Sequence, residues 1–291
     1  MTVPARPTPL FADIADVSRR LAETGYLPPP PPARAFFPAA RRDKPLLVEG
    51  PAGVGKTELA RAVAQATGSG LVRLQCYEGV DEARALYEWN HAKQILRIQA
   101  GSGDWEATKT DVFSEEFLLQ RPLLTAIRRT EPTVLLIDET DKADIEIEGL
   151  LLEVLSDFAV TVPELGTLTA TRAPFVLLTS NATRELSEAL KRRCLYLHID
   201  FPTPELERRI LLSRVPELPE HFAEELVRII GVLRGMQLKK VPSIAETIDW
   251  GRTVLALGLD TIDDAVVAAT LGVVLKHQSD QQRATGELRL N

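Results

Sequence analysis

Eight residues, Gly50-Pro51-Ala52-Gly53-Val54-Gly55-Lys56-Thr57, follow the apolar run Leu46-Leu47-Val48-Glu49 and open a stretch, Thr57 to Thr67, with helical periodicity. They match the pattern GxxxxGK[ST] in the context that gives the pattern meaning, after a strand and before a helix. A chain that turns from a buried strand through a glycine-rich loop into a helix is confined largely to α/β folds. The glycines let successive backbone N–H groups turn inward around an anion, and the helix N-terminus adds positive potential. In such a loop Lys56 reaches the β- and γ-phosphates of a nucleotide, and the Thr57 hydroxyl is a ligand for Mg²⁺. The expected nucleotide-binding set is Gly50, Pro51, Ala52, Gly53, Val54, Gly55, Lys56, Thr57 and Glu58.

Further strands follow the same pattern. Leu71 to Leu74, Thr133 to Ile137, Pro174 to Thr179 and Leu195 to Ile199 are short apolar runs separated by helical stretches, the signature of a parallel sheet. Residues 81–130 read as mostly helical, with a break at Gly101-Ser102-Gly103. Ile145 to Phe158 reads as a helix, and Val160 to Ala170 as a hairpin turning at Glu164-Leu165-Gly166. After Pro202 the strand signal stops, and four helices are expected near 204–214, 219–235, 242–257 and 262–277. At the other end, ten of the twenty prolines lie in residues 1–45, five of them in a row at Pro28 to Pro32. That run favours extended polyproline and excludes helix. The spacing of Leu10, Ile14, Val17 and Leu21 predicts a short helix over about 10–24 ahead of it, with a stiff tether to Arg42. The expected domains are therefore 1–44, a helix and proline-rich arm; 45–202, the α/β domain; and 203–291, a helical domain.

Three more groups carry chemistry. Leu135-Leu136-Ile137-Asp138-Glu139 is a buried strand ending in two acids. Beside a phosphate loop, Asp138 can hold Mg²⁺ through water, and Glu139 can polarise a water for in-line attack. Leu177-Leu178-Thr179-Ser180-Asn181 ends a strand in an amide. Asn181 can orient the attacking water or touch the γ-phosphate; the alternative is a cap on the next helix. Lys191-Arg192-Arg193 is read as following a helix over Arg184 to Leu190. There it is either a solvated, dipole-favoured helix end or an arginine finger offered to a neighbouring copy's nucleotide, with Arg193 ahead of Arg192.

Composition excludes several classes. Apolar residues make up 45% and charged residues 26%, as in globular proteins. The longest apolar stretch, Ala265 to Leu275, is 11 residues, and a membrane span needs about 20. The first ten residues lack a signal-peptide core, so a cytoplasmic setting is expected. Only two cysteines occur, Cys76 and Cys194, so neither a disulfide framework nor a cysteine zinc site is expected. They read as packed thiols. His91, His198, His221 and His277 show no ligand spacing. Trp89 and Trp105 either pack the inserted helices or face a pore. The net charge of −7 argues against nucleic acid as the main ligand.

The four motifs, in this order and followed by a helical domain, resemble the AAA+ ATPases, where they are named Walker A, Walker B, sensor 1 and arginine finger. The long stretch between Leu74 and Pro132 resembles a helix-2 insertion, and Val160 to Leu168 resembles the pre-sensor-1 hairpin. Tyr87-Glu88-Trp89-Asn90, Arg121-Pro122-Leu123-Leu124 and Leu186 to Cys194 resemble the MoxR group, and within it the CoxD-like branch linked to maturation of molybdenum–copper carbon monoxide dehydrogenase. The resemblance covers about residues 45–285. It implies a P-loop NTPase core with a small helical lid, and a ring, of six copies, that hydrolyses ATP with Mg²⁺ and remodels a client metalloenzyme. It also implies a partner with a von Willebrand factor A domain. One departure stands out. Where many AAA+ proteins carry a sensor-2 arginine, this chain has Ala245 within Pro242 to Thr247; Lys239 and Lys240 are either substitutes or solvated side chains.

Other readings start from the same residues. A motor on nucleic acid lacks support from a basic-aromatic stripe. A small-molecule kinase needs an acceptor lid, whereas this chain has a helical domain and a paired Asp-Glu. A nucleotide-gated scaffold would carry the same motifs with little turnover.

Overall fold

Five of the apolar runs become one sheet. In the computed structural model, which describes residues 10–27, 37–39, 44–100, 111–259 and 261–288, strands β1 (Leu46–Glu49), β2 (Gly70–Gln75), β5 (Thr133–Asp138), β8 (Phe175–Ser180) and β9 (Leu195–His198) are all parallel. Their order is β2-β5-β8-β1-β9. Strands β5 and β8 are buried at every residue, as expected of central parallel strands covered on both faces. Two antiparallel ribbons complete the strands: β3 (Tyr87–Trp89) with β4 (Leu118–Gln120), and β6 (Ala159–Val162) with β7 (Gly166–Thr169). The second is the hairpin expected at Val160 to Ala170. The first adds a short ribbon to residues 81–130, whose described part is otherwise mostly helical as expected. Each of its strands is three residues long, too short for an alternating pattern to register.

Helices around the sheet are α1 (Ile14–Glu23), α2 (Lys56–Thr67), α3 (Glu82–Ala85), α4 (His91–Ala100), α5 (Pro122–Arg128), α6 (Ile145–Asp157) and α7 (Glu188–Arg193). Helix α1 starts at Asp13, whose side chain accepts from the Asp16 N–H, and it buries Val17 and Leu21. It is docked on α2: the Arg20 guanidinium donates to the Leu10 carbonyl at 2.9 Å and to the Ala66 carbonyl at the end of α2. A cation there also complements the α2 dipole. The Pro28 to Pro32 run, the Gly101 to Gly103 break and Trp105 lie outside the described residues. Trp89 packs edge-on against Phe113, with ring centres 5.4 Å apart.

A second compact unit is formed chiefly by residues from 199 onward. It holds α8 (Pro204–Arg214), α9 (Glu220–Gly235), α10 (Ile244–Ala256), α11 (Asp264–Val274) and α12 (Gln278–Glu287). Among the described residues that is five helices, against the four or so expected. The last begins beyond Lys276 and is largely polar, so apolar periodicity gave it no signal. Trp250 is fully buried among Leu211, Leu218, Ile230 and Leu271, and its indole N–H donates to Thr270 Oγ1 at 2.8 Å. Glu207 is buried and takes both arms of the Arg234 guanidinium, at 2.5 and 2.8 Å, plus the Thr247 hydroxyl at 2.7 Å.

Candidate functional site

Parallel pairing in register brings the carboxyl ends of the strands to one edge. Gln75 lies opposite Asp138, and Glu49 lies opposite Ser180. The residues just past those ends are Gly50, Cys76, Glu139 and Asn181. Open α/β sheets place their ligands at this edge, where strand order reverses. Here β1 lies between β8 and β9, while the chain leaving it crosses to β2 at the far side. Gly53 and Gly55 have φ of +74° and +94°, angles that any side chain would resist. The loop can therefore present its N–H groups only because those positions are glycine.

The sequence-selected residues meet through hydrogen bonds. Lys56 is buried, and its Nζ donates to the Gly50 carbonyl at 2.7 Å and to Asn181 Oδ1 at 2.8 Å. Burial pushes the Lys56 pKa down, against the opposing pull of Asp141, Asp138, Glu139 and Glu49. The Thr57 hydroxyl lies 3.1 and 3.2 Å from the two Asp138 oxygens. A hydroxyl beside a carboxylate is the hard-oxygen donor set that Mg²⁺ takes alongside phosphate and water. Glu139 adopts a left-handed φ of +57°, a strain of about 1–3 kcal/mol that clusters at functional positions. Asn181 is not a helix cap. Its amide oxygen is taken by Lys56, and the next helix is capped by Ser187, whose hydroxyl accepts from the Leu190 N–H.

That cap also corrects the reading of a helix over Arg184 to Leu190. Helix α7 runs Glu188–Arg193, and Lys191, Arg192 and Arg193 form its last turn. Arg192 and Arg193 are exposed. Arg193 stands outside the cluster around Lys56; its Nε donates to Ser156 Oγ of α6 at 2.9 Å. Lys240 pairs with Glu246 at 3.0 Å, and Ala245 is exposed. Burial raises both thiols, Cys76 and Cys194, to a pKa of about 12, so neither is a nucleophile at neutral pH.

Several functional neighbours escaped the sequence reading. Thr179 is buried; its hydroxyl donates to Asp138 Oδ1 at 2.6 Å and accepts from the Glu139 N–H at 2.9 Å. From β2, Arg73 donates to Asp138 Oδ2 at 2.6 and 3.0 Å, and Gln75 donates to Glu139 Oε2 at 2.9 Å. Lys142 reaches the same Glu139 oxygen at 2.7 Å. No signal in the single chain places β2 next to β5, so none could have found Arg73 or Gln75. Thr179 sits two residues before Asn181 in Leu-Thr-Ser-Asn, and a buried hydroxyl in that run was the available clue.

Thr179→Val should keep the shape but leave the Glu139 N–H unpaired and Asp138 short of a donor. The expected cost is about 1–3 kcal/mol, read from urea unfolding at pH 7. A loss too small to resolve would show that neither hydrogen bond matters.

A second buried carboxylate sets α7. Glu148 on α6 accepts from Arg184 Nη2 at 2.5 Å and from the Ser187 N–H at 2.9 Å. Burial raises its pKa, but the hydrogen bonds from Ser187 and Arg184 outweigh that and hold it below the usual 4.5. The folded pKa is lower than the unfolded one, so this stabilisation is full above about pH 4.5 and fades as pH falls through the folded value. Glu148→Gln should therefore flatten the loss of the urea midpoint between pH 5 and pH 3 relative to wild type. An unchanged acid limb would contradict that linkage.

Comparison with known proteins agrees with this geometry. Residues 45–194 match the family model described as an AAA domain of the dynein-related subfamily. The chain is 25% identical over 219 residues to protein NorQ of Paracoccus denitrificans, covering 73% of each chain. It is 27% identical over 236 residues to chaperone protein ClpB 1 of Synechocystis, covering 76% of this chain and 23% of that one. It thus spans about a quarter of that relative's length. Among solved structures it is similar to the RuvB Holliday junction branch migration motor of Thermotoga maritima, at 16% identity and a TM-score of 0.47, over 96% of this chain and 72% of that one. No helix among the described residues is long and apolar enough to cross a membrane. With the phosphate loop, the acidic strand end and the amide-bearing strand end assembled on one parallel sheet, and with half the chain matched, this protein belongs to the AAA domain family, dynein-related subfamily, of P-loop NTPases that generally hydrolyse ATP.

Proposed function

We propose that this chain is an ATP-hydrolysing remodelling ATPase of MoxR type, acting as a ring of copies, with six as the expected number. The observation that carries the reading is the bridge made by Lys56 between the Gly50 carbonyl and Asn181 Oδ1, beside the Thr57–Asp138 pair. One cation thus ties the phosphate loop's first residue to the end of β8. In this reading Gly50 to Glu58 hold the phosphates, with Lys56 at the terminal ones. Thr57 and Asp138 hold Mg²⁺, which when bound offsets phosphate charge. Glu139 takes the proton of the attacking water, and Asn181 holds that water in line. Arg193 serves the site of a neighbouring copy, consistent with its position outside the cluster around Lys56 in its own chain.

The remodelling role draws on the similarity to chaperone protein ClpB 1. The CoxD-like segments extend it to a client metalloenzyme in the cytoplasm and to a partner with a von Willebrand factor A domain. A neutral substitution at Lys56 tests the binding half. Lys56→Ala removes charge-assisted hydrogen bonds worth about 1.5–3 kcal/mol each, so nucleotide affinity should fall at least roughly tenfold. Fluorescent-nucleotide titration reads this directly, and unchanged affinity would remove the phosphate loop from the site. Turnover strongly stimulated by single-stranded DNA would instead favour a motor on nucleic acid.

A further inference from the structure

Of the buried carboxylates that the mechanism above leaves unused, Asp141 is the one bonded to the turn that carries Asn181. Asp141 lies in the short 3-10 turn Thr140–Lys142 that follows Glu139, and only 3% of it is exposed. Its Oδ1 accepts from the Asn181 N–H at 3.2 Å. Its Oδ2 accepts from the Thr183 N–H at 3.0 Å and from the Thr183 hydroxyl at 2.5 Å. Between them, Ala182 is held at φ +57°, and its N–H donates to Ser180 Oγ at 2.9 Å. All three N–H groups of the turn 181–183 are therefore taken by side-chain oxygens. The charge of Asp141 also acts on the buried Lys56. A buried ionised carboxylate is costly unless its charge is offset, and here three of its hydrogen bonds go to the turn that carries Asn181.

The consequence lies in geometry. The same turn holds Glu139 at its start, where the Lys142 N–H donates to the Glu139 carbonyl at 2.9 Å. Asp141 thus links the strand end that bears the proposed base to the one that bears the proposed water-orienting amide. The left-handed backbone at Ala182 is one that an alanine does not hold unaided. We propose that Asp141 is a positioning residue for ATP hydrolysis: it fixes the backbone of Asn181 so that the carboxamide meets Lys56 and the attacking water. This rests on the role given to Asn181 above.

A double-mutant cycle tests it. Wild type, Asp141→Ala, Asn181→Ala and the double variant are compared for ATP turnover and for KM. Each single variant should lose about 10- to 100-fold in kcat, with KM within about threefold. The double variant should fall no more than about twofold below Asn181→Ala, because Asp141 acts through that residue. A merely structural role would not be cancelled by removing Asn181, so losses that multiply would overturn the proposal. Thr183→Val, which removes one hydroxyl donor and keeps the shape, should show a loss of a few-fold. Should Asp141→Ala fail to fold, the cycle is run with Thr183→Val in its place, and the same cancellation supports, or multiplication overturns, the inference. An Asn181→Ala variant with wild-type turnover would defeat the role of Asn181 and this inference together; a slowed Asn181→Ala with multiplying losses defeats this inference alone.

Discussion

Glu139→Gln should bind ATP with wild-type affinity, within about threefold, and lose turnover by roughly a hundred- to ten-thousand-fold, the range for removing a positioned general base. Gln keeps the size and can still accept from Gln75 and Lys142, so the local hydrogen bonds survive in part. What it loses is the ability to take a proton. Glu139 is well placed for that task. It stands one residue beyond a fully buried strand, in a strained left-handed conformation, with its N–H fixed by Thr179 and one carboxylate oxygen fixed by Gln75 and Lys142. Single-turnover measurement of phosphate release separates chemistry from binding. If Glu139→Gln hydrolyses at the wild-type rate, the base is another group.

Arg193→Ala should cost about a thousand-fold or more in kcat if the guanidinium completes a neighbouring site, the scale reported by arginine fingers in general. The local structure supports an arginine presented outward. Helix α7 is pinned at its N-cap by Glu148 and at its end by the Arg193–Ser156 hydrogen bond, so the exposed guanidinium is anchored at Nε. The side chain of Arg192, also exposed, makes no hydrogen bond among the described residues, and Arg192→Ala should be the milder change. The sharing of the site has its own signature. In an equimolar random mixture of Arg193→Ala and Glu139→Gln copies, about a quarter of the interfaces pair an intact Glu139 with an intact Arg193. Activity should reappear on mixing in about that proportion. Two inactive populations that stay inactive together would place Arg193 in its own chain's structure rather than in a neighbour's site.

The parts of this site legible in the sequence are those whose chemistry is written along one strand. Leu46 to Thr57 and Leu135 to Glu139 each carry an apolar run and its functional end within a dozen residues, so pattern and motif reinforce each other. Asn181 was legible for the same reason, with a competing reading as a cap that the bond from Lys56 removes. Arg73, Gln75 and Thr179 were not, because they matter only through strand order. Arg73 and Gln75 reach Asp138 and Glu139 from β2 on one side, and Thr179 reaches them from β8 on the other. Hydrophobic periodicity reports that a strand exists and is silent on its neighbours. Asp141 was visible in Asp-Glu-Thr-Asp but had no assigned partner, since Thr183 is 42 positions away. The boundary of α7 was recoverable: Ser187 before Glu188-Ala189-Leu190 is an N-cap signature, and the apolar residues Leu186 and Leu190 drew the helix too early.

Hydrolysis of ATP at a site completed by a second copy of the chain ties turnover to assembly. Steady-state ATP turnover measured against the chain's own concentration, with mass by light scattering in the same samples, tests it most directly. Specific activity should rise with concentration and level off as the mass approaches a ring, while Glu139→Gln assembles likewise without turning over. A specific activity that is flat across the range in a protein that remains a monomer, or no turnover at all in an assembled wild type, would contradict it.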